Sequence, residues 1–298
     1  PVTVAEFTAV GYFFGRHMHT NLEVPVGLIG SNWGGTKIEP WTPPVGFKSV
    51  PALVKSPPAA NRRPSQMYNA MISPLLPYTI KGALWYQGES NNGEGMLYHE
   101  KMKALIAGWR SVWKNPNLPF YFVQLAPYRY NRPEALPGIW QAQLETLKVP
   151  NTGMAVVTDI TTPRNIHPPN KQDVGKRLAL WALVKDYGKK LKTQYSGPLF
   201  SKVDHAEGKG SLTVHFHKET TDGLTTSDKK PASHFEISGK DGKWHPAKVT
   251  IVYGDHLIVS STEVKNPVHV RFGWNELAEP NLVNRAGLPA SPFNTAFK

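Results

Sequence analysis

The chain has 298 residues, with 34 Lys and Arg against 22 Asp and Glu and no Cys. The length fits one large or two medium globular domains, and the lack of Cys excludes a disulfide scaffold, a thiolate zinc site and a cysteine nucleophile. The net charge of +12 favours anionic partners, but the basic residues are scattered along the chain, so we expect no nucleic-acid partner. No apolar run is long enough to cross a bilayer, so we expect no membrane partner.

Short apolar runs alternate with helical patterns along the first two thirds of the chain. Apolar residues at helical spacing predict a first helix over 4–20, and an apolar run over 24–29 predicts a strand. Further strands are predicted over 82–86, 120–125 and 154–157, and further helices over 96–113, 138–147 and 171–187. Strands without polar alternation, each followed by a helix, indicate a parallel sheet that is covered on both faces.

The pattern changes near residue 195. Short β-rich segments over 211–216, 248–252, 256–259 and 268–272 are separated by Gly, Asp and Asn turns. We therefore predict an α/β domain over 1–194 that is followed by an all-β module over 195–298.

Candidate functional residues follow the predicted strands, where ligands bind in open parallel sheets. The pair Gly34 and Gly35 follows the first strand, Gln87, Glu89 and Asn91 follow the second, and a histidine follows the fourth. An ester hydrolase needs N–H donors for an oxyanion and a base that titrates near neutrality. These residue types therefore point to acyl transfer.

Each residue type fits one catalytic role. Gly34 lets a substrate approach the backbone closely, and Gln87 or Asn91 supplies an amide donor. His167 is the candidate base, and Glu89 is its candidate carboxylate partner. The alternative is that the glycine pair is only a turn and that Glu89 only caps the following helix.

Four segments of the chain resemble the sialate O-acetylesterase group of SGNH-type carbohydrate esterases. They are 24–41 (VPVGLIGSNWGGTKIEPW), 67–91 (MYNAMISPLLPYTIKGALWYQGESN), 165–180 (NIHPPNKQDVGKRLAL) and 281–293 (NLVNRAGLPASPF). The resemblance implies a flavodoxin-like three-layer domain that removes acetyl groups from sugar hydroxyls through a serine nucleophile, with no metal or organic cofactor. We expect an acetylated carbohydrate as substrate, with Trp33, Asn69 and Asn165 as candidate contacts.

The sequence departs from the family pattern in two places. Asn165 stands where family members often carry an Asp two residues before the catalytic histidine, which favours Glu89 as the acid. The Gly-Gln-Ser-Asn-like block that carries the nucleophile is missing, and Ser31, Ser65 and Ser90 lie in contexts typical of turns or caps, as does Ser73. We therefore expect the serine on an upstream peptide that also supplies a missing strand.

Two other interpretations remain open. The spacing of His215 and His217 on a predicted strand would place both rings on one face, but no third ligand accompanies them, so we expect no metal. A non-catalytic carbohydrate-binding or scaffold protein with a degenerate esterase fold is the alternative function. The chain starts at Pro1 without a leader-like segment, and we expect any targeting peptide to be removed or upstream and the location to be extracellular or periplasmic.

Overall fold

The computed structural model describes residues 2–205 and 210–297. The helices are α1 (Ala9–Leu22), α2 (Pro44–Lys48), α3 (Pro51–Lys55), α4 (Leu97–Val112), α5 (Ala135–Thr146), α6 (Lys171–Lys185) and α7 (Lys218–Thr221). The strands are β1 (Ala83–Trp85), β2 (Phe120–Val123), β3 (Thr152–Ala155), β4 (Phe200–His205), β5 (Ser211–Phe216), β6 (Thr225–Thr226), β7 (Phe235–Ser238), β8 (Trp244–Pro246), β9 (Lys248–Val252), β10 (His256–Ser260), β11 (His269–Phe272), β12 (Leu282–Val283) and β13 (Phe293–Asn294). Within the described ranges, every helix is too short or too polar to span a bilayer.

The chain divides into two compact units that interleave along the sequence. The first unit comprises Pro1–Leu125, Glu145–Ala155 and Asn170–Lys189, and the second comprises Ala126–Leu144, Val156–Pro169 and Lys190–Lys298. The last long helix, α6, precedes a series of short strands, which the four-residue helix α7 interrupts. The domain boundary between residues 194 and 195 stays a prediction.

A three-stranded parallel sheet forms the centre of the first unit. Its order is β1-β2-β3, and the register pairs Ala83 with Phe120 and Phe120 with Thr152. All side chains of β2 and β3 are buried. Buried strands without polar alternation are typical of parallel sheets, and the predicted parallel sheet is confirmed.

Helices cover both faces of this sheet. Successive side chains of a strand point to opposite faces of the sheet, so the Phe120 ring lies on one face and the Tyr121 ring on the other. The Phe120 ring lies 5.7 Å from that of Trp109 on α4, and the Tyr121 ring lies 6.5 Å from that of Trp181 on α6. This three-layer α/β arrangement matches the predicted fold class.

The predicted strand over 24–29 is wrong as a secondary-structure assignment. The segment is extended but belongs to no sheet, and Val24 and Ile29 are 47% and 54% exposed. Within the described part of the chain, its backbone pairs with no other backbone segment between residues 24 and 32. Apolar residues alone do not make a strand, because a strand is held by hydrogen bonds to a neighbour.

The first helix starts later than its apolar spacing predicts. The Thr8 hydroxyl accepts a hydrogen bond from the backbone N–H of Gly11 at 3.4 Å, which caps α1 at Ala9. The helix packs closely on α6 at Gly175, where an added Cβ would lie 2.7 Å from the Val10 carbonyl oxygen. This glycine sets the separation of the two helices.

Antiparallel sheets dominate the second unit, as the turn-rich sequence predicts. One sheet has the order β4-β5-β10-β9, a second has the order β13-β11-β7-β8, and β12 pairs with β6. Strand β5 alternates half-buried and buried side chains, which is typical of a sheet with one covered face. The strands predicted over 211–216 and 248–252 have the observed bounds.

Candidate active site

The loop that follows β1 contains the candidate amide and acid residues. Gly88 has a φ of 153°, and a Cβ there would come within 3.0 Å of the Leu125 side chain. Only glycine fits both restrictions. The backbone then forms a single 3₁₀ turn over Glu89–Asn91. The turn therefore places Glu89 just beyond the carboxyl end of the sheet, as predicted from the strand pattern.

The glycine turn of residues 34–35 lies against this loop. The Ser90 hydroxyl donates to the Gly35 carbonyl oxygen at 2.9 Å, and the Gln87 amide donates to the Thr36 carbonyl oxygen at 3.1 Å. Gly34 is exposed, and nothing lies within 4 Å of the position of an added Cβ. Two of the sequence blocks that suggested an esterase thus meet, with open space in front of Gly34.

Asn91 does not support its predicted role as a direct oxyanion donor. It is fully buried, and its amide nitrogen donates to Glu39 and to Glu94, each at 3.0 Å. Its carbonyl oxygen accepts from the Ile38 backbone N–H at 3.0 Å and from Gln87 at 2.8 Å. This fully buried amide has donated both hydrogens, which favours a positioning role for Asn91, and its role at an oxyanion stays a prediction.

Gln87 is half-buried and links the two loops. Its amide nitrogen donates to Thr36 and Asn91, and its carbonyl oxygen accepts from the Tyr98 hydroxyl at 3.0 Å. A bond from Gln87 to an oxyanion requires one of these two donated hydrogen bonds to open. Its role at an oxyanion stays a prediction.

A buried ionic cluster of Glu39, Glu94 and Lys101 supports this loop, and the sequence patterns did not identify it. The Lys101 ammonium donates to Glu39 at 2.8 Å and to Glu94 at 2.6 Å, and Glu39 is 1% exposed. A buried carboxylate needs charged and hydrogen-bonded partners, which Lys101 and Asn91 supply. The available signal was Glu39 itself, a charged residue inside the apolar run of 38–41.

Tyr86 and Lys171 also lie beside the candidate acid. The Lys171 ammonium lies 5.1 Å from the centre of the Tyr86 ring, a cation–π distance. Burial lowers the pKa of Lys171, and the Glu89 charge opposes that shift. Burial and then the Glu89 charge raise the pKa of Tyr86. Both residues lie within the family-like segments 67–91 and 165–180, and that position was the available signal.

His167 lies in the second unit, in an exposed turn after β3. The side-chain oxygen of Asn165 accepts a hydrogen bond from the His167 backbone N–H at 2.9 Å. This contact is typical of a turn in which an Asn side chain fixes the backbone two residues later. Asn165 thus has a local structural role, and its role in substrate binding stays a prediction.

The candidate substrate contacts Trp33 and Asn69 are exposed. Trp33 is 65% exposed, and its carbonyl oxygen accepts from the Thr36 hydroxyl at 2.8 Å. The Trp41 ring nitrogen donates to that same hydroxyl at 2.9 Å, which anchors the turn to the core. An exposed indole on a fixed turn is suited to stacking on a sugar.

Three of the four candidate serines in the first unit, Ser31, Ser65 and Ser90, do not resemble an activated nucleophile. The Ser65 hydroxyl is buried and donates to the Thr42 carbonyl oxygen at 2.8 Å, and the Ser90 hydroxyl donates to Gly35. The Ser31 hydroxyl oxygen is buried without a hydrogen-bond partner in the described chain. An activated serine has its hydroxyl against a general base, and these three do not show that arrangement.

His215 and His217 do not form a pair on one strand. Strand β5 ends at Phe216, and His217 is the residue that precedes α7. His215 instead contacts Asp204 at 2.9 Å and stacks on His256, with ring centres 5.5 Å apart. Among the residues that the structure describes, no group of three or more His, Asp or Glu side chains is arranged to hold a metal ion.

Comparison with known proteins places these features in a family. The family model described as carbohydrate esterase, sialic acid-specific acetylesterase, matches residues 4–183. Sialate O-acetylesterase of Homo sapiens is 34% identical over 320 residues, which cover 96% of this chain and 60% of that protein. The Mus musculus sialate O-acetylesterase is 30% identical over 346 residues, covering 96% of this chain and 63% of that protein.

A solved structure shows the same fold. A carbohydrate acetylesterase from Xanthomonas citri superposes with a TM-score of 0.89 at 38% identity, covering 99% of this chain and 66% of that one. This chain therefore spans less than two thirds of the length of the relatives to which it is similar. The matching family model, the shared fold and the joined sequence blocks show that the chain belongs to the sialic acid-specific acetylesterase family of carbohydrate esterases.

Proposed function

We propose that this chain forms the larger part of a carbohydrate O-acetylesterase that removes acetyl groups from sugar hydroxyls, such as those of sialic acid. The contact between the glycine turn and the Gln87–Glu89 loop carries the proposal. It joins the turn that contains the exposed residue Gly34 to the loop that carries Gln87 and Glu89 after strand β1. Family membership supports an acetyl ester as the substrate.

The proposed reaction is a two-step acyl transfer. A serine oxygen attacks the acetyl carbonyl carbon while His167 accepts the serine proton, and His167 then returns this proton to the departing sugar oxygen. Water next attacks the acyl-enzyme through the same histidine, which releases acetate and restores the serine. The Gly34 backbone N–H and the Gln87 amide are the proposed oxyanion donors, and Glu89 is the proposed catalytic acid.

The serine in this proposal comes from an upstream peptide. Strand β1 pairs with β2 on one side, and no described strand pairs with its other side. The extended segment over 24–32 also has no backbone partner in the described chain. An inserted strand would satisfy unpaired backbone groups, and the turn after it would reach the same sheet end as Gly34.

Co-production of this chain with a segment that carries the family strand and its Gly-Gln-Ser-Asn turn tests the proposal. We expect hydrolysis of 4-nitrophenyl acetate, and we expect His167→Ala to lower kcat/KM by at least about 100-fold because a general base is lost. His217→Ala is the matched control, since this exposed histidine lies in the same unit and should leave turnover unchanged.

Two results would count against the proposal. Unchanged turnover in His167→Ala would remove this residue from the mechanism. An associated and folded complex that binds acetylated sugars but hydrolyses no ester would instead favour a non-catalytic carbohydrate-binding protein.

A further inference from the structure

The first unit contains a second concave surface, at the opposite end of the sheet from the candidate active site. Pro116 and Pro150, which lie just before β2 and β3, form part of its wall. The volume of this cleft is about 840 Å³, within the range of ligand sites. We call it the basic cleft, and its lining residues are Ser49, Val50, His99, Lys103, Ile106, Ala107, Arg110, Ser111, Lys114, Pro116, Lys148, Val149 and Pro150.

The base of the basic cleft is apolar. Val50 is 3% exposed and Ile106 is fully buried, and Ala107 and Val149 extend the same surface. Val50 and Ile106 are already covered by protein. The apolar surface that a ligand would remove from water therefore belongs to the half-buried Ala107 and Val149, and its burial is favourable in proportion to the area covered. The base of the cleft therefore fits an apolar group better than a sugar ring with many hydroxyls.

Arg110 is held rigidly in the wall of the basic cleft. Its Nε donates to the Leu118 carbonyl oxygen at 3.0 Å, and one terminal nitrogen donates to the carbonyl oxygens of Pro150 and Asn151 at 2.7 and 3.3 Å. The other terminal nitrogen, Nη1, makes no hydrogen bond to a described residue. A fixed guanidinium with free N–H groups is suited to bind a carboxylate or sulfonate.

Three lysines add to the positive charge. Lys103 pairs with Glu100 at 2.8 Å, and Lys148 pairs with Glu145. Lys114 forms no ion pair or hydrogen bond through its side chain with the described residues. Arg110 and the three lysines therefore outnumber the two carboxylates that face them.

His99 adds no further charge to this wall. Its Nδ1 lies 3.0 Å from the Thr146 hydroxyl oxygen, and burial, aided by Lys103, lowers its pKa. The neutral ring forms part of the apolar surface at neutral pH.

We propose that the basic cleft binds a small organic anion with one acidic group and an apolar body. The acidic group contacts Arg110 Nη1 and Lys114, and the apolar body covers Ala107 and Val149. This binding site is separate from the proposed active site and requires neither the missing serine nor catalysis.

The first test uses 8-anilino-1-naphthalenesulfonate as a fluorescent probe on the 298-residue chain. We expect octanoate to displace the probe and the neutral 1-octanol to displace it at least about 10-fold less well, because only octanoate carries the acidic group. Rising salt should weaken octanoate and leave 1-octanol unaffected, since exposed charges are screened. Equal displacement by both compounds would overturn the proposal.

Variants of the lining residues test whether the ligand binds in the basic cleft. The double variant Lys103→Glu and Lys114→Glu should weaken octanoate binding by at least about 10-fold, because like charges then face the carboxylate. Lys189→Glu changes the same type of charge on the same unit outside the cleft, and it should change binding less than about 2-fold. Ala107→Trp should block the apolar base.

The outcomes separate the cleft from other apolar surfaces. If octanoate binds the double variant and Lys189→Glu equally well, the ligand lies elsewhere and the proposal is wrong. Circular dichroism verifies that each variant folds. If Ala107→Trp fails to fold, the charge variants alone decide.

Discussion

Asn91 shows how the surroundings of one residue determine its role. Its position after a strand and its amide chemistry suggested an oxyanion donor, but both of its N–H groups are donated to the carboxylates of Glu39, which is buried, and Glu94, which is half-buried. One of these carboxylates belongs to Glu39, which lies 52 positions earlier in the chain. Local spacing cannot predict such a partner, because the contact exists only after the chain has folded.

The cluster around Glu39 leads to a stability prediction. Lys101→Met removes the cation and leaves a buried carboxylate without its ion pair, which should destabilise the fold by about 3–5 kcal/mol. Lys103→Met is the matched control, because its ion pair with Glu100 is on the outer side of the same helix and should contribute about 1 kcal/mol or less. Urea unfolding of the two variants checks this expectation, and similar midpoints would show that Lys101 does not stabilise the fold.

The candidate site was predictable where residues follow strands and unpredictable where they depend on distant partners. The positions of Gln87 and Glu89 follow from the rule that parallel strands present ligand sites at their carboxyl ends, whereas Gly34 follows an extended segment that lies outside every described sheet. The hydrogen bonds from Ser90 and Gln87 to the glycine turn agree with that placement. Tyr86 and Lys171 were missed because their relation to Glu89 depends on packing between separate segments.

At the scale of elements, burial pattern predicted the strands that have neighbours. Strands β2 and β3 were placed to within a few residues because all their side chains are buried. The segment over 24–29 has the same apolar composition but remains outside every sheet of the described chain. The two cases differ in whether a neighbouring strand is present. An apolar composition makes a segment able to pair, but only backbone hydrogen bonds to a neighbour make it a strand.

The packing of α1 on α6 gives a second stability prediction. Gly175→Ala places a methyl group 2.7 Å from backbone atoms of Val10 and Phe14, so the helices must separate. We expect a loss of about 1–3 kcal/mol, the usual cost of overpacking. Gly27→Ala is the control because nothing lies within 4 Å of the added methyl group. Thermal unfolding that ranks the two variants equally would contradict this account.

At the scale of the molecule, the parallel sheet has the order β1-β2-β3, and among the described residues neither the outer side of β1 nor that of β3 pairs with a further strand. The relatives of the chain are longer, and this chain covers 60% of the human protein. Within the described ranges, the outer side of β1 and the segment over 24–32 lack backbone partners, which indicates where a further strand would pair. Insertion of that strand would stabilise the sheet and would also bring the proposed serine to the active site.

A peptide with the family strand and serine turn should stabilise this chain by mass action. At a peptide concentration 100 times its Kd, we expect about 2.7 kcal/mol of added stability and a melting temperature that rises with peptide concentration. A control peptide with Pro in the middle of the strand lacks one N–H donor and should stabilise much less. A melting temperature that does not change when either peptide is added would contradict strand insertion.

The open edge of β1 also affects how the chain behaves during purification. An unpaired strand edge is a template for any extended backbone, including that of another copy. Because β1 has only three residues, such pairing is weak in dilute solution and grows with concentration. Concentrating the chain alone therefore favours self-association and loss of monomer, and an occupant of the edge protects against aggregation before it contributes to chemistry.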